Sequence, residues 1–101
     1  MKLQISKTAR RDLDAIFNYW ARRASPDVAG RLIYAITDRC ALIAEFPNIG
    51  RLCGEIAPAV HVFPVGKCLI YYRKQRGVLR ILQILHGARD QARTFDQGSP
   101  Q

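Results

Sequence analysis

Cysteines, acidic residues and long apolar stretches are all scarce in this sequence, and each shortage excludes a class of protein. The three cysteines are odd in number and none of them forms a CxxC pair, which argues against a disulfide framework and against a zinc site. No stretch approaches the roughly 18 apolar residues that a membrane span needs, and the first residues contain no apolar segment of signal-peptide length. We therefore expect a cytoplasmic protein with reduced, buried cysteines, no metal, no other cofactor and no membrane partner.

The shortage of acidic residues leaves a strongly basic chain. Its 16 lysines and arginines face 8 aspartates and glutamates, so the net charge is +8. The excess of basic residues lies in two parts of the chain. Residues 1–23 hold six basic and two acidic residues, and residues 67–93 hold seven basic residues and one acidic residue. A fold that brings these parts together creates a surface that attracts a polyanion or an acidic protein segment. The alternative is a basic surface that is merely solvated.

The first half of the chain predicts a short strand and two helices. The stretch KLQIS alternates polar and apolar residues, as an edge strand does. Apolar residues then recur at helical spacing as far as Trp20, and Ser6 or Thr8 can cap the helix start. The segment Ser25–Asp27 begins a second helix, because a serine cap, a proline in the first turn and an early acidic residue all favour a helix start. Helices joined so closely should form an antiparallel hairpin.

The second half of the chain predicts strands. Once Pro47 and Gly50 have ended the second helix, three strand-like segments follow, with turns at Gly66 and at Arg76–Val78: AVHVFPV, KCLIYYRK and LRILQILH. This order predicts an α+β fold, in which two N-terminal antiparallel helices pack on a small twisted antiparallel sheet. We expect one domain over residues 1–95 and a flexible tail over 96–101.

Three patches stand out in order along the chain. They are EFPNIGR after the helices, VFPVGKCLIYYR over a strand pair, and ILQILHGARD in the last strand. Together they resemble the ParE branch of the RelE/ParE superfamily of bacterial toxins from toxin–antitoxin modules. The resemblance covers roughly Leu3 to Phe95, and it implies the same RelE/ParE-like fold that the pattern predicts.

The resemblance implies the toxin of a type II toxin–antitoxin module that inhibits DNA gyrase and so blocks replication. It also implies a cognate ParD-like antitoxin, which wraps the toxin with its C-terminal segment in a hetero-oligomer. Operator DNA is then contacted only indirectly, through the DNA-binding domain of the antitoxin. RelE-type members of the superfamily instead cleave messenger RNA on the ribosome, so a ribosome-dependent endoribonuclease is the alternative function.

Two positions depart from the pattern of the family. His61 stands where an arginine is common, and Cys68 stands where an aromatic residue is common. These departures motivate a third hypothesis, a non-toxic member that serves only as an antitoxin partner or corepressor.

A ribonuclease of the RelE kind needs a general base, a general acid and converging cations. The candidates are Arg73, Arg80, His61 and His86. Arg73 and Arg80 lie on neighbouring strands of the predicted hairpin and can share a face, and His86 can reach the same region. However, no tyrosine follows Asp90, and the HGARD stretch matches the ParE branch better than the ribonucleases. We therefore expect a binding toxin without catalytic residues.

Two sets of side chains are expected to carry binding. Cationic and histidine side chains should contact the target, and the candidates are Arg73, Arg80, Arg89, His61 and His86. Outward-facing aromatic side chains should anchor the antitoxin, because aromatic residues are common interface anchors, and the candidates are Tyr19, Trp20, Tyr34 and Tyr72. Each of the pairs Tyr19–Trp20 and Tyr71–Tyr72 should place one member inward and the other outward.

Overall fold

Two helices lie against one side of a five-stranded sheet in the computed structural model, which describes residues 1–54 and 57–87. The elements in chain order are β1 (Lys2–Ile5), α1 (Lys7–Arg23), α2 (Pro26–Glu45), β2 (Arg51–Leu52), β3 (Val60–Val65), β4 (Cys68–Gln75) and β5 (Val78–His86). The strand order is β1-β5-β4-β3-β2. The predicted α+β fold is confirmed, with one difference: β1 pairs with β5 in parallel, whereas all other pairs are antiparallel.

Both helices begin at serine caps. The Ser6 hydroxyl accepts a hydrogen bond from the Ala9 N–H at 3.0 Å, and the Ser25 hydroxyl accepts one from the Val28 N–H at 3.1 Å. Each bond satisfies an N–H that has no partner within its helix. Only Ala24 and Ser25 lie between the helices, so α1 and α2 pack as the predicted antiparallel hairpin.

The main core lies between the helices and the sheet. Apolar side chains from one stripe of each helix meet the inward-facing residues of β4 and β5, and the fully buried members include Ile16, Ile36, Ile43, Ile70, Tyr72, Leu79, Ile81 and Ile84. Cys40 and Cys68 belong to this core, and Cys53 is buried elsewhere, so all three cysteines are buried free thiols as predicted. Burial raises the pKa of the Cys40 thiol to about 11, which makes it a poor nucleophile.

A tight turn joins β4 to β5 where the sequence predicts it. Arg76 and Gly77 form the two-residue loop, and both have positive φ, at 50° and 78°. This is the conformation of the turns that match the twist of a hairpin. The turn fixes the register of the hairpin, and Arg73 on β4 consequently lies directly opposite Arg80 on β5.

The face of the sheet that points away from the helices is divided into two halves. Over β3, and over the ends of β4 and β5 that lie away from their turn, Cys53 and Ala57 pack in one cluster with Val60, Tyr71 and Leu85, so this half is covered by the segment that follows β2. Nearer the β4–β5 turn, the exposed residues Lys2, Gln4 and Arg80 and the half-buried Arg73 are not covered in this way. We call this second half the open face.

Candidate functional site

Three polar side chains form a row across the open face. Gln4 on β1 is the register partner of Arg80 on β5, and Arg80 is in turn the partner of Arg73 on β4. Directly paired residues project from the same face of a sheet. Gln4 and Arg80 are exposed and Arg73 is half-buried. The next residue in the row, Val60, is fully buried, so the row ends where the covered half begins. We call Gln4, Arg80 and Arg73 the arginine row.

Both guanidinium groups in the row are held by neutral acceptors. Arg80 Nη1 donates to the side-chain oxygen of Gln4 at 3.2 Å, and Arg73 Nη2 donates to the carbonyl oxygen of Pro58 at 3.3 Å. Like charges directly opposite each other across a strand pair repel. Because neither acceptor carries charge, these bonds orient the two cations without neutralising them. An anion placed over the row would relieve the repulsion.

A bulge in β5 puts Ile84, a core residue beyond it, on the face opposite to Arg80. The register shifts between Tyr71 and Tyr72, so that Leu82 is an extra residue between the pairs Tyr72–Ile81 and Tyr71–Gln83. An uninterrupted alternation of faces that started from Ile81 would turn Ile84 away from the core. The extra residue restores Ile84 to the helix side, where it is fully buried.

Two side chains, from the N-cap of α1 and from the helix itself, bind the backbone at this bulge. The Ser6 hydroxyl donates to the carbonyl oxygen of Leu82 at 2.8 Å, and the Ile84 N–H donates to Oδ2 of Asp12 at 2.9 Å. Asp12 is buried, with 6% of its surface exposed. A buried carboxylate is tolerated where it accepts such bonds. The sequence reading gave neither residue a role beyond the capping of α1 by Ser6.

His86 does not lie on the open face, contrary to the expectation for the target surface. It pairs with Cys68, a core residue on the helix side of the sheet, and only 3% of it is exposed. The indole Nε1 of Trp20 donates to Nε2 of His86 at 2.9 Å. An acceptor nitrogen carries no proton, so this bond selects the neutral imidazole with its proton on Nδ1. The target contact expected of His86 stays a prediction, and its burial leaves little of the side chain for a target to touch.

His61 is also on the helix side and nearly buried. Its ring stacks on that of Tyr72, with centroids 5.2 Å apart and 18° between the planes, and 9% of the residue is exposed. Its Nδ1 finds no hydrogen-bond partner in the described part of the chain. The target contact expected of His61 likewise stays a prediction, with little of the side chain accessible. Both histidines are separated from Arg73 and Arg80 by the thickness of the sheet.

The aromatic residues expected to anchor an antitoxin differ widely in exposure. Tyr34 is 73% exposed, whereas Tyr72 is fully buried and cannot reach a partner. Tyr19 and Trp20 are both half-buried, and the guanidinium carbon of Arg23 lies 4.4 Å from the centre of the Tyr19 ring. Neither member of the Tyr71–Tyr72 pair is exposed, because Tyr72 lies in the main core and the segment after β2 covers Tyr71.

Tyr72 instead fixes the loop between α2 and β2, a role that sequence reasoning missed. Its hydroxyl donates to the carbonyl oxygen of Pro47 at 2.7 Å and accepts from the Gly50 N–H at 2.9 Å. A Cβ atom on Gly50 would lie 2.5 Å from the same hydroxyl oxygen, so only glycine fits. The loop and β2 carry a different type of surface from the arginine row, because together they expose three large apolar side chains, those of Phe46, Ile49 and Leu52.

Arg89, the remaining target candidate, lies outside the described residues. Within 1–54 and 57–87, no three His, Cys, Asp or Glu side chains come together as a set that could hold a metal ion. No helix in this part of the chain is both long enough and apolar enough to cross a membrane.

Comparisons with known proteins agree with this fold. The family model described as "ParE toxin of type II toxin-antitoxin system, parDE" matches residues 3–91. A solved structure titled "Chromosomal ParDE TA system from P. aeruginosa" is similar, with a TM-score of 0.76 and 22% sequence identity over 85% of this chain and 95% of that chain. None of the curated proteins compared with the sequence matches it. The chain belongs to the ParE toxin family of type II toxin–antitoxin systems.

Proposed function

We propose that this ParE-family toxin acts in the cytoplasm by inhibiting DNA gyrase, so that replication stops, and that a cognate ParD-like antitoxin neutralises it. The observation that carries the proposal is the separation of charge from acid–base chemistry in the site. Arg73 and Arg80 lie together on the open face, while His61 and His86 are buried on the other side of the sheet. Such a face is equipped to bind an anionic target, with Arg73 and Arg80 as its contacts.

The alternative ribonuclease requires a proton donor and a proton acceptor beside the cations. Neither described histidine can serve beside Arg73, since both project to the helix side. Tyr71 lies on the same face as Arg73, but burial raises the pKa of its hydroxyl above the usual value for tyrosine. A tyrosine shifted in that direction stays protonated at neutral pH and is a poor general base. The placement of these groups favours a toxin that works by binding.

The non-toxic alternative was motivated by the replacements at His61 and Cys68. Both residues are core residues on the helix side of the sheet, with 9% and 0% of their surfaces exposed. Replacements at these positions alter packing rather than the exposed row of Gln4, Arg80 and Arg73. The surface proposed for the target is therefore independent of both departures.

An antitoxin that binds this chain should combine apolar anchors with acidic residues. Tyr34 is the most exposed of the aromatic candidates, and Tyr19 and Trp20 contribute half-buried rings on α1. We propose these three residues as antitoxin contacts. Replacement of Tyr34 by alanine should weaken antitoxin binding without unfolding the toxin, because its side chain contributes little to the core.

The first test is the order in which synthesis stops after induction of the toxin alone. We expect thymidine incorporation to fall before methionine incorporation, and purified gyrase to accumulate cleaved DNA when the toxin is added. Arg73→Gln and Arg80→Gln should each reduce toxicity, whereas Arg31→Gln, an equal loss of charge on α2, should not. An earlier fall in methionine incorporation, with cleaved transcripts, would instead establish the ribonuclease.

A further inference from the structure

We propose that the arginine row binds the phosphate backbone of duplex DNA directly. The inference deepens the proposed function, on which it rests, because it assigns part of the target contact to the DNA that gyrase holds rather than to gyrase itself. The ligand class is a phosphodiester backbone, read through its charge and geometry and not through its bases.

The row consists mainly of hydrogen-bond donors, and its one side-chain acceptor, the Gln4 oxygen, already accepts from Arg80. A guanidinium group can only donate, so the oxygen of the Gln4 amide must be the atom that faces Arg80, as the 3.2 Å bond shows. The amide NH2 group of Gln4 is then left as a donor beside the two guanidinium groups. Phosphate oxygens can only accept, and bidentate contacts from arginine suit their geometry. The row is complementary to phosphate in both charge and hydrogen bonding.

The row is also held in place before any ligand arrives. Its three residues are on β1, β5 and β4, neighbouring strands whose spacing is about 4.8 Å, so the row spans about 10 Å of rigid sheet. The bonds from Arg80 to Gln4 and from Arg73 to the Pro58 carbonyl restrict both long side chains. Side chains that are already ordered lose less entropy on binding. Duplex DNA presents several phosphates within a length of 10 Å.

The surroundings of the row favour DNA over an acidic protein segment. Beside the row, two residues nearer the β4–β5 turn, Lys2 and Gln75 lie on either side of Val78, their register partner on β5. Val78 is half-buried. Interfaces with proteins usually have apolar or aromatic anchors at their centre, whereas interfaces with DNA are more polar and more positive. Four of the exposed large apolar side chains, Tyr34, Phe46, Ile49 and Leu52, belong to α2, its following loop and β2, and Leu69 on β4 lies four residues away from Arg73. No acidic side chain occurs on β1, β4 or β5.

The test measures binding of the full-length toxin to a short fluorescent DNA duplex by anisotropy, between about 50 and about 200 mM salt. Each phosphate contact contributes about 0.9 to the slope of log affinity against log salt. We expect Arg73→Gln and Arg80→Gln each to reduce the slope by about 0.9 and the affinity by about eightfold at 0.1 M salt. Gln4→Ala should lower the affinity without changing the slope, because it removes a donor but no charge.

Two controls separate a local site from the general charge of the protein. Arg31→Gln removes the same charge from an exposed position on α2 and should leave the slope unchanged. Arg80→Lys keeps the charge but loses the planar fork, so the slope should remain while the affinity falls. The fluorescence of Trp20, the single tryptophan, checks that each variant is folded.

The outcomes are distinct. Equal changes of slope for Arg31→Gln and Arg80→Gln, or no change for the row variants, would overturn the inference. Tighter binding of single-stranded RNA, or stronger competition by a polyglutamate peptide than by unlabelled duplex, would overturn it as well. A toxin that binds DNA through the row but leaves gyrase unaffected supports the inference and contradicts the proposed function. Gyrase poisoning without DNA binding that depends on the row would support the proposed function and overturn the inference.

Discussion

Removal of the Tyr72 hydroxyl should destabilise the protein although the aromatic ring stays in place. In Tyr72→Phe the ring still fills its position in the main core. The change removes the hydroxyl that accepts a 2.9 Å hydrogen bond from the Gly50 N–H and donates a 2.7 Å hydrogen bond to the Pro47 carbonyl oxygen. The loop between α2 and β2 then loses both of its hydrogen bonds to the sheet through Tyr72.

The magnitude follows from how accessible each partner is to water. The Gly50 N–H is buried, so leaving it without an acceptor costs about 1–3 kcal/mol. The bond to the Pro47 carbonyl is only partly buried, and water can replace the lost donor at about 0.5–1 kcal/mol. We expect a total loss of about 1.5–4 kcal/mol. For a domain of this size, each kcal/mol lowers Tm by about 4–8 °C.

The assay is thermal and urea unfolding followed by circular dichroism and Trp20 fluorescence. Tyr34→Phe is the matched control, because it deletes the same hydroxyl from a side chain that is 73% exposed. Its stability should stay within about 0.5 kcal/mol of the parent protein. If Tyr72→Phe proves as stable as Tyr34→Phe, the hydroxyl does not hold the loop and the reasoning is refuted.

Three further perturbations test the packing around the site. Gly50→Ala should destabilise the protein by more than about 2 kcal/mol, because the new Cβ would lie 2.5 Å from the Tyr72 hydroxyl oxygen. Gly30→Ala should instead stabilise it by about 0.5–1 kcal/mol, because a Cβ at this position inside α2 meets no other atom and alanine favours the helix. Ser6→Ala removes both a cap and the bond to the β5 bulge, so it should destabilise by more than the roughly 1 kcal/mol of Ser25→Ala, which removes only a cap. Because burial raises the pKa of Cys40 from 9.0 to about 11, the unfolded chain ionises first, and stability should fall as pH rises from 9 to 11.

Each expectation has its own contradicting result. A Gly30→Ala protein that loses as much stability as Gly50→Ala would show that the close contact at Gly50 is unimportant. Equal losses for Ser6→Ala and Ser25→Ala, measured by urea unfolding, would remove the role of Ser6 at the bulge. The pH effect is read from the difference between parent and Cys40→Ala. An unchanged dependence in the variant would mean that other groups, such as the buried tyrosines, cause it.

Local signals made the helices and the hairpin predictable. The run Ser25–Asp27 contains a cap, a proline and an acid in their favoured places, and the helix begins there. The Arg76–Gly77 turn fixes its register by geometry, so the sequence also predicted correctly that Arg73 and Arg80 share a face. These features depend on residues that are close in sequence, and this is why a pattern detects them.

The features that were predicted wrongly from the sequence depend on distant parts of the chain. Strict alternation along β5 predicts the wrong face for any residue beyond the bulge at Leu82, and His86 lies beyond it. Tyr71 is buried because the segment after β2 folds back over the sheet, which no period in β4 reveals. The stretch KLQIS identifies β1 as a strand but does not identify its parallel partner, and the two residues of β2 are too few to show a period.

The parallel pairing of β1 with β5 sets the order in which this protein can be assembled during translation. Gln4 and Arg80 are 76 residues apart, yet they are neighbours in the sheet. At about 5–20 residues per second, the ribosome takes about 4–15 s to synthesise the chain between them. Throughout that interval β1 has no strand to join, and a contact so distant in sequence closes slowly. The surface formed by Gln4, Arg80 and Arg73 therefore arises only when β5 has emerged, so a nascent chain does not carry it.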